Sequence, residues 1–163
     1  FAGEIGYFKL NMLLSDENNY GNLNYGNYYD STSLFSVLSI VKREISLGTE
    51  TVLKDWLEAS GRSWDDVTID ELLKAYRLKD ALVVRAIHSA ARVIGTFASS
   101  MSEFLDLDTV ILIGSVTGLG KEYLKYISKY AKNSPVVFSE LGSDATIMGT
   151  INAGILAVFD GLL

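Results

Sequence analysis

The sequence has no cysteine at all, one proline and one histidine among 163 residues. Without thiols there can be no disulfide, no thiolate metal site and no cysteine nucleophile. A single histidine, His88, leaves no nitrogen set for a zinc site and no second imidazole for acid–base work. Basic residues are also in deficit: 14 Lys and Arg stand against 20 Asp and Glu, for a net charge of −6. Nucleic-acid binding rests on cations that neutralise phosphates, and the basic residues here are scattered, so the chain itself should not bind DNA. No uninterrupted apolar run reaches the ~18 residues of a membrane span, and no basic, then apolar leader opens the chain. The expectation is a cytoplasmic protein without membrane contact.

What is present is an ordinary globular composition, 48% hydrophobic and 21% charged. The length suits one domain with a substantial core, or part of a larger one. A strand is expected near residues 7–14. Residues 15–33, crowded with Asn, Tyr, Gly and Asp, read as a long loop. Its tyrosines, Tyr20 to Tyr29, could stack on a sugar face or simply lie at the surface. Helices are expected over residues 32–47, 49–59 and 68–76, the last opened by a Thr68/Glu71 capping box. Asp65, Asp66, Asp70 and Glu71 gather at that helix start, where they complement its dipole.

Residues 80–105 form the longest periodic segment. Leu82, Ala86, Ala90, Val93, Phe97, Met101 and Phe104 share one stripe, which predicts a long, largely buried helix. His88 lies mid-helix with no nucleophile or acid signature beside it, so a structural or solvent-facing histidine is the plain reading. Residues 109–113 then read as a strand covered on both faces. Helices at 121–131 and 145–159, with a strand at 135–139 between them, imply a parallel strand pair joined by right-handed crossover. The first strand runs into Gly114, Ser115, Gly118 and Gly120. This is a candidate nucleotide- or anion-binding turn aimed at a helix N-terminus. It matches neither a Walker loop nor G-x-G-x-x-G, and a plain connecting turn explains the glycines equally.

Three segments carry a resemblance: FAGEIGY at residues 1–7, LDTVILIG at 107–114 and SELGSDATIMG at 139–149. In that order and spacing they resemble the ROK family of sugar kinases and sugar-responsive repressors. Its members carry A-G-E-I-G-H, a strand after a D-P-E turn, and a closing S-x-L-G-x-x-A-x-x-x-G-A-A helix. The resemblance implies an actin-like ATPase, ribonuclease-H-like fold. This chain would be its C-terminal lobe over residues 1–163, truncated at the N-terminal side and carrying a helical insert. The family's catalytic aspartate, first phosphate loop and G-T-G-I-G hairpin lie upstream of the matched region.

The same resemblance implies roles for single residues. Glu4 falls where the family hydrogen-bonds a sugar hydroxyl, and Tyr7 falls where a histidine ligates zinc and contacts sugar. Asn and Tyr replace the cysteines of the family's zinc loop in residues 20–30. The implied chain therefore holds no metal, needs no cofactor of its own and lacks a catalytic base. SLG at 46–48 and VTIDELLKAYRLKD at 67–80 look like the repressors' L-T-x-x-D-V-x-x-A-x-x-x-G-D segment. That favours the sugar-sensing domain of a transcriptional regulator over half of an ATP-dependent hexose kinase. The implied partner is a sugar or sugar phosphate. DNA would be reached only through a separate helix-turn-helix module. A homo-oligomer is expected, formed through an open sheet edge or through the stripe at 82–104.

Overall fold

The computed structural model describes residues 32–132 and 135–161. The expected strand at 7–14, the long loop up to residue 31, Glu4 and Tyr7 lie outside these residues. The backbone groups into two compact units that divide between Ile94 and Gly95.

The first unit is helical among its described residues. Helix α1, Leu34–Ser46, starts where the Ser33 hydroxyl accepts the Ser36 amide at 3.1 Å. It buries Leu34, Val37, Leu38, Val41 and Ile45 along one face. Helix α2, Val52–Ser60, is capped by Thr51 and stops at Gly61. Helix α3, Ile69–Arg77, opens on the expected box: the Thr68 hydroxyl accepts the Glu71 amide, and the Glu71 carboxylate accepts the Thr68 amide at 3.0 Å. Arg62 also donates to Glu71, and this hydrogen bond, with the Thr68 donors, holds the Glu71 carboxyl below its usual range. Of the acidic cluster, Asp70 and Glu71 sit in the first turn of α3, while Asp66 accepts the Ser63 amide at 2.8 Å.

Helix α4, Ala81–Leu105, begins on a buried carboxylate. One oxygen of Asp80 accepts the Val83 amide at 3.0 Å, capping α4. The other accepts the Val52 amide at 3.0 Å and the Thr51 hydroxyl at 2.9 Å, at the start of α2. One side chain thus serves two helix N-termini, each with orphan N–H groups and a positive dipole end. The residue before it, Lys79, has φ of 63°. That left-handed value suits glycine best, and here a lysine bears the strain.

The stripe on α4 is buried as expected at Leu82, Ala86, Ala90, Val93 and Phe97. Met101 is only half-buried, and Phe104 is 82% exposed, so the expected burial fails over the last two turns. Cover over those turns reaches Ser102, which is buried, but not Phe104. The long helix passes the length and composition test for a membrane span, but 61% of that window is buried inside the protein. It is a core helix.

The second unit holds the sheet. Strand β1, Val110–Leu112, pairs in parallel with β2, Val136–Phe138, in the register Val110 to Val136 through Leu112 to Phe138. Helix α5, Gly120–Ser128, connects them and buries Tyr123 and Ile127. Helix α6, Ala145–Asp160, follows β2. The parallel pair was legible in the residue pattern; cover on both faces was not correct. Ile111 is 61% exposed and Ile113 is also exposed, while Val110 and Leu112 are half-buried. The continuous aliphatic run concealed a two-residue alternation of cover.

A glycine sets one close approach in this unit. A Cβ on Gly95 would lie 2.4 Å from the Ile127 carbonyl oxygen and 2.8 Å from Tyr130 Cβ. Helices α4 and α5 therefore meet backbone to backbone, and the Ser99 hydroxyl accepts the Lys132 amide just beyond.

Two substitutions test this packing. Asp80→Ala strips acceptors from two helix starts at once and should cost about 2–4 kcal/mol, since charged hydrogen bonds and caps are each worth about 1–3. Urea unfolding should show a lower midpoint for it, and an unchanged midpoint would refute the double cap. Gly95→Ala drives a methyl into a main-chain carbonyl and should cost about 1–3 kcal/mol by overpacking. Differential scanning calorimetry should show a Tm several degrees lower.

Candidate functional site

Both strands end in a turn that feeds a helix, and the two turns lie side by side. After β1, Gly114 takes φ 82° and ψ −159°, a combination open essentially to glycine alone. The chain then makes a tight helical turn, Ser115–Leu119, and returns to a glycine-only conformation at Gly120, φ 77° and ψ −176°, before α5. Thr117 closes this turn twice on the Gly114 carbonyl, through its amide at 3.1 Å and its hydroxyl at 2.8 Å. After β2, the Ser139 amide donates to Leu112 at 2.9 Å and extends the ladder by one bond. The Leu141 amide then donates to the Ser139 hydroxyl at 3.2 Å, and the Gly142 amide to the Ser139 carbonyl at 3.1 Å. A tight turn, Gly142–Asp144, leads into α6.

The two turns are pinned together. The Gly114 amide donates to the Gly142 carbonyl at 3.3 Å. A Cβ added at Gly142 would approach the Thr117 hydroxyl to 3.8 Å, whereas one at Gly114 or Gly120 would meet nothing within 4 Å. The space over the first turn is thus open, and its glycines are required by backbone geometry rather than by crowding. Crevices at the carboxyl ends of adjacent parallel strands are where open α/β sheets take ligands.

The structure brings the four sequence-predicted residues into this one turn. Gly114 and Gly120 bracket it at positive φ, while Ser115 and Gly118 are exposed within it. Leu119, at the N-cap of α5, offers no capping oxygen. The turn itself, GSVTGLG, carries no carboxylate, imidazole or amine. It can bind an anion or a polar ring edge through backbone N–H groups, and it has nothing with which to move a proton.

Sequence reasoning missed Thr117, Ser139 and Gly142 as parts of the site. The signal was available: a second parallel strand also ended in a glycine turn, and parallel pairing puts two such turns together. His88 sits on α4, half-buried and edge-on to Tyr76, with the ring centroids 6.1 Å apart and the Tyr76 hydroxyl 3.5 Å from Nε2. That is the structural environment expected for it. Among the described residues no three His, Asp or Glu side chains converge as a metal site.

No family profile and no curated protein matches the sequence. Solved structures do. A ROK family glucokinase from Streptomyces griseus, in complex with glucose and AMPPNP, superposes with a TM-score of 0.65 at 19% identity. The match covers 88% of this chain and 48% of that one. A ROK hexokinase from Thermus thermophilus gives a TM-score of 0.62 at 20% identity, covering 98% of this chain and 49% of that one. The fold is therefore that of a lobe of the ROK kinases, and the chain spans about half the length of these structures.

The turn makes a direct prediction about stability. Gly114→Ala meets no atom but forces a Cβ into a glycine-only conformation, which costs about 1–3 kcal/mol. The midpoint of thermal unfolding should fall accordingly, and an unchanged Tm would mean that the turn is not held at φ 82°.

Proposed function

We propose that the chain is the sugar-sensing effector lobe of a ROK-type transcriptional regulator of carbohydrate metabolism. The observation that carries the sugar-binding part is the fold match to two ROK sugar kinases over 88% and 98% of the chain. The regulator part is supported by sequence departures. Tyr7 replaces a histidine, Asn and Tyr replace the zinc-loop cysteines, and residues 67–80 follow the repressor segment. The acidic net charge agrees with DNA being contacted by another module of the full-length protein. A sugar or sugar phosphate that prefers one lobe arrangement would shift the population toward it, and that bias is what a distant DNA-binding module reads. The protein would act in the cytoplasm.

A second reading is supported at least as well by the fold comparison: the C-terminal half of an ATP-dependent sugar kinase. Both similar structures are kinases, and one holds AMPPNP. Under that reading the paired turns at Gly114 and Gly142 would face the nucleotide, with the general base on the other half of the protein.

Titration calorimetry of the full-length protein against hexoses and amino sugars tests the shared premise. Saturable heat is expected with at least one sugar, and Glu4→Gln should weaken it about tenfold or more, as for a lost hydrogen bond to a charged group. Absence of heat with every sugar would sink both readings. ATP-dependent sugar phosphorylation separates them: turnover establishes the kinase, and sugar binding without turnover supports the sensor.

A further inference from the structure

Thr117 reaches both of the glycines that bracket the first of the paired turns. Its hydroxyl and its amide donate to the Gly114 carbonyl, at 2.8 and 3.1 Å. Its own carbonyl accepts the Gly120 amide. Gly114 and Gly120 are the residues held at glycine-only angles, with φ of 82° and 77°. Of these three bonds only the one from the hydroxyl is under the control of sequence, since every residue brings a carbonyl and all but proline an amide. The same hydroxyl faces the second turn. A Cβ built on Gly142 would lie 3.8 Å from Thr117 Oγ1, an ordinary van der Waals contact, and would meet nothing else within 4 Å. A side chain at position 142 would therefore enter the space between the two turns. Gly142 has φ of 53°, which favours glycine but which asparagine also adopts. Crowding does not demand glycine there. What a larger residue would take away is the crevice itself.

We propose that Thr117 positions the first turn for its ligand and that Gly142 keeps the crevice between the turns open to it. The proposal rests on the second reading above, in which the paired turns face the nucleotide. The two residues act by different means. Thr117 is a positioning residue: it works through Gly114, whose carbonyl it holds while the Gly114 amide is held by the Gly142 carbonyl. The peptide groups on both sides of Gly114 are thereby fixed, and the donors that follow in the turn point one way. Gly142 is a specificity residue: it works by having no side chain where the ligand enters. Preorganised donors cost a ligand less ordering on binding, and a filled crevice excludes it.

Titration calorimetry of the full-length protein with AMPPNP tests both halves. Thr117→Val keeps the branched shape and removes the hydroxyl, whereas Thr117→Ser keeps the hydroxyl and removes the methyl. Positioning through the hydrogen bond predicts affinity about threefold to tenfold lower in the Val variant, the worth of one neutral hydrogen bond. The Ser variant should bind like the wild type. A packing role predicts the reverse order, with Val like the wild type and Ser impaired, and that result overturns the assignment of Thr117. Gly142→Asn should lower affinity about tenfold or more by filling the crevice, while its Tm stays close to that of the wild type. Undiminished binding by that variant overturns the role of Gly142. Wild-type binding that is indifferent to all three substitutions overturns the proposal and leaves the nucleotide reading standing. Absence of AMPPNP binding by the wild type overturns both.

Discussion

The carboxylate of Asp80 is the contact on which the helical unit depends. It is buried, and it is satisfied by two backbone amides and one hydroxyl that belong to different helix starts. A buried charge without partners is expensive, so the position of each partner is dictated by the need to satisfy it. The start of α2 and the start of α4 are thereby held at one point, although Thr51 and Asp80 are 29 residues apart. Helix α3 is bounded by the same device. Its end at Lys79 must turn left-handed to deliver Asp80 into place, and its start is locked by the Thr68 and Glu71 exchange, reinforced by Arg62.

The second unit is organised by backbone rather than by side chains. Parallel pairing of β1 and β2 puts two strand ends together, and the amide of Gly114 on the carbonyl of Gly142 ties the turns that follow. What results is an edge of main-chain groups with open space above its first turn, where no side chain is titratable, while Glu140 and Asp144 stand in the second. Such a surface discriminates by shape and by hydrogen-bond direction, which suits a recognition role. It also explains why the site is poor in conventional motifs: its chemistry is in amides that every sequence possesses, and glycine only permits their placement.

Exposure is distributed unevenly between the two units. The helical unit encloses most of its described apolar residues, with Phe35, Leu47, Trp64 and Leu78 left exposed, while the sheet unit leaves Ile111, Ile113 and almost all of α6 open. The similar solved structures are about twice as long as this chain. An apolar helix in water is a demand for cover, and α6 carries that demand over most of its length.

The residue pattern alone determined the local features, because their causes are local. The Thr68 and Glu71 box, the stop at Gly61, the long α4 periodicity through Phe97 and the strand–turn–helix order all follow from contacts within a few residues. It also delivered Gly114, Ser115, Gly118 and Gly120 as one turn. Tertiary structure decided what depends on residues distant in sequence. Only pairing in space made Gly142 and Thr117 neighbours, and only packing showed that Gly95 has no room for a methyl. Periodicity likewise predicted apolar faces at Phe104 and Ile111 but could not say whether anything covers them. Whether an apolar face is buried depends on a second surface arriving opposite it, and no single segment encodes its own partner.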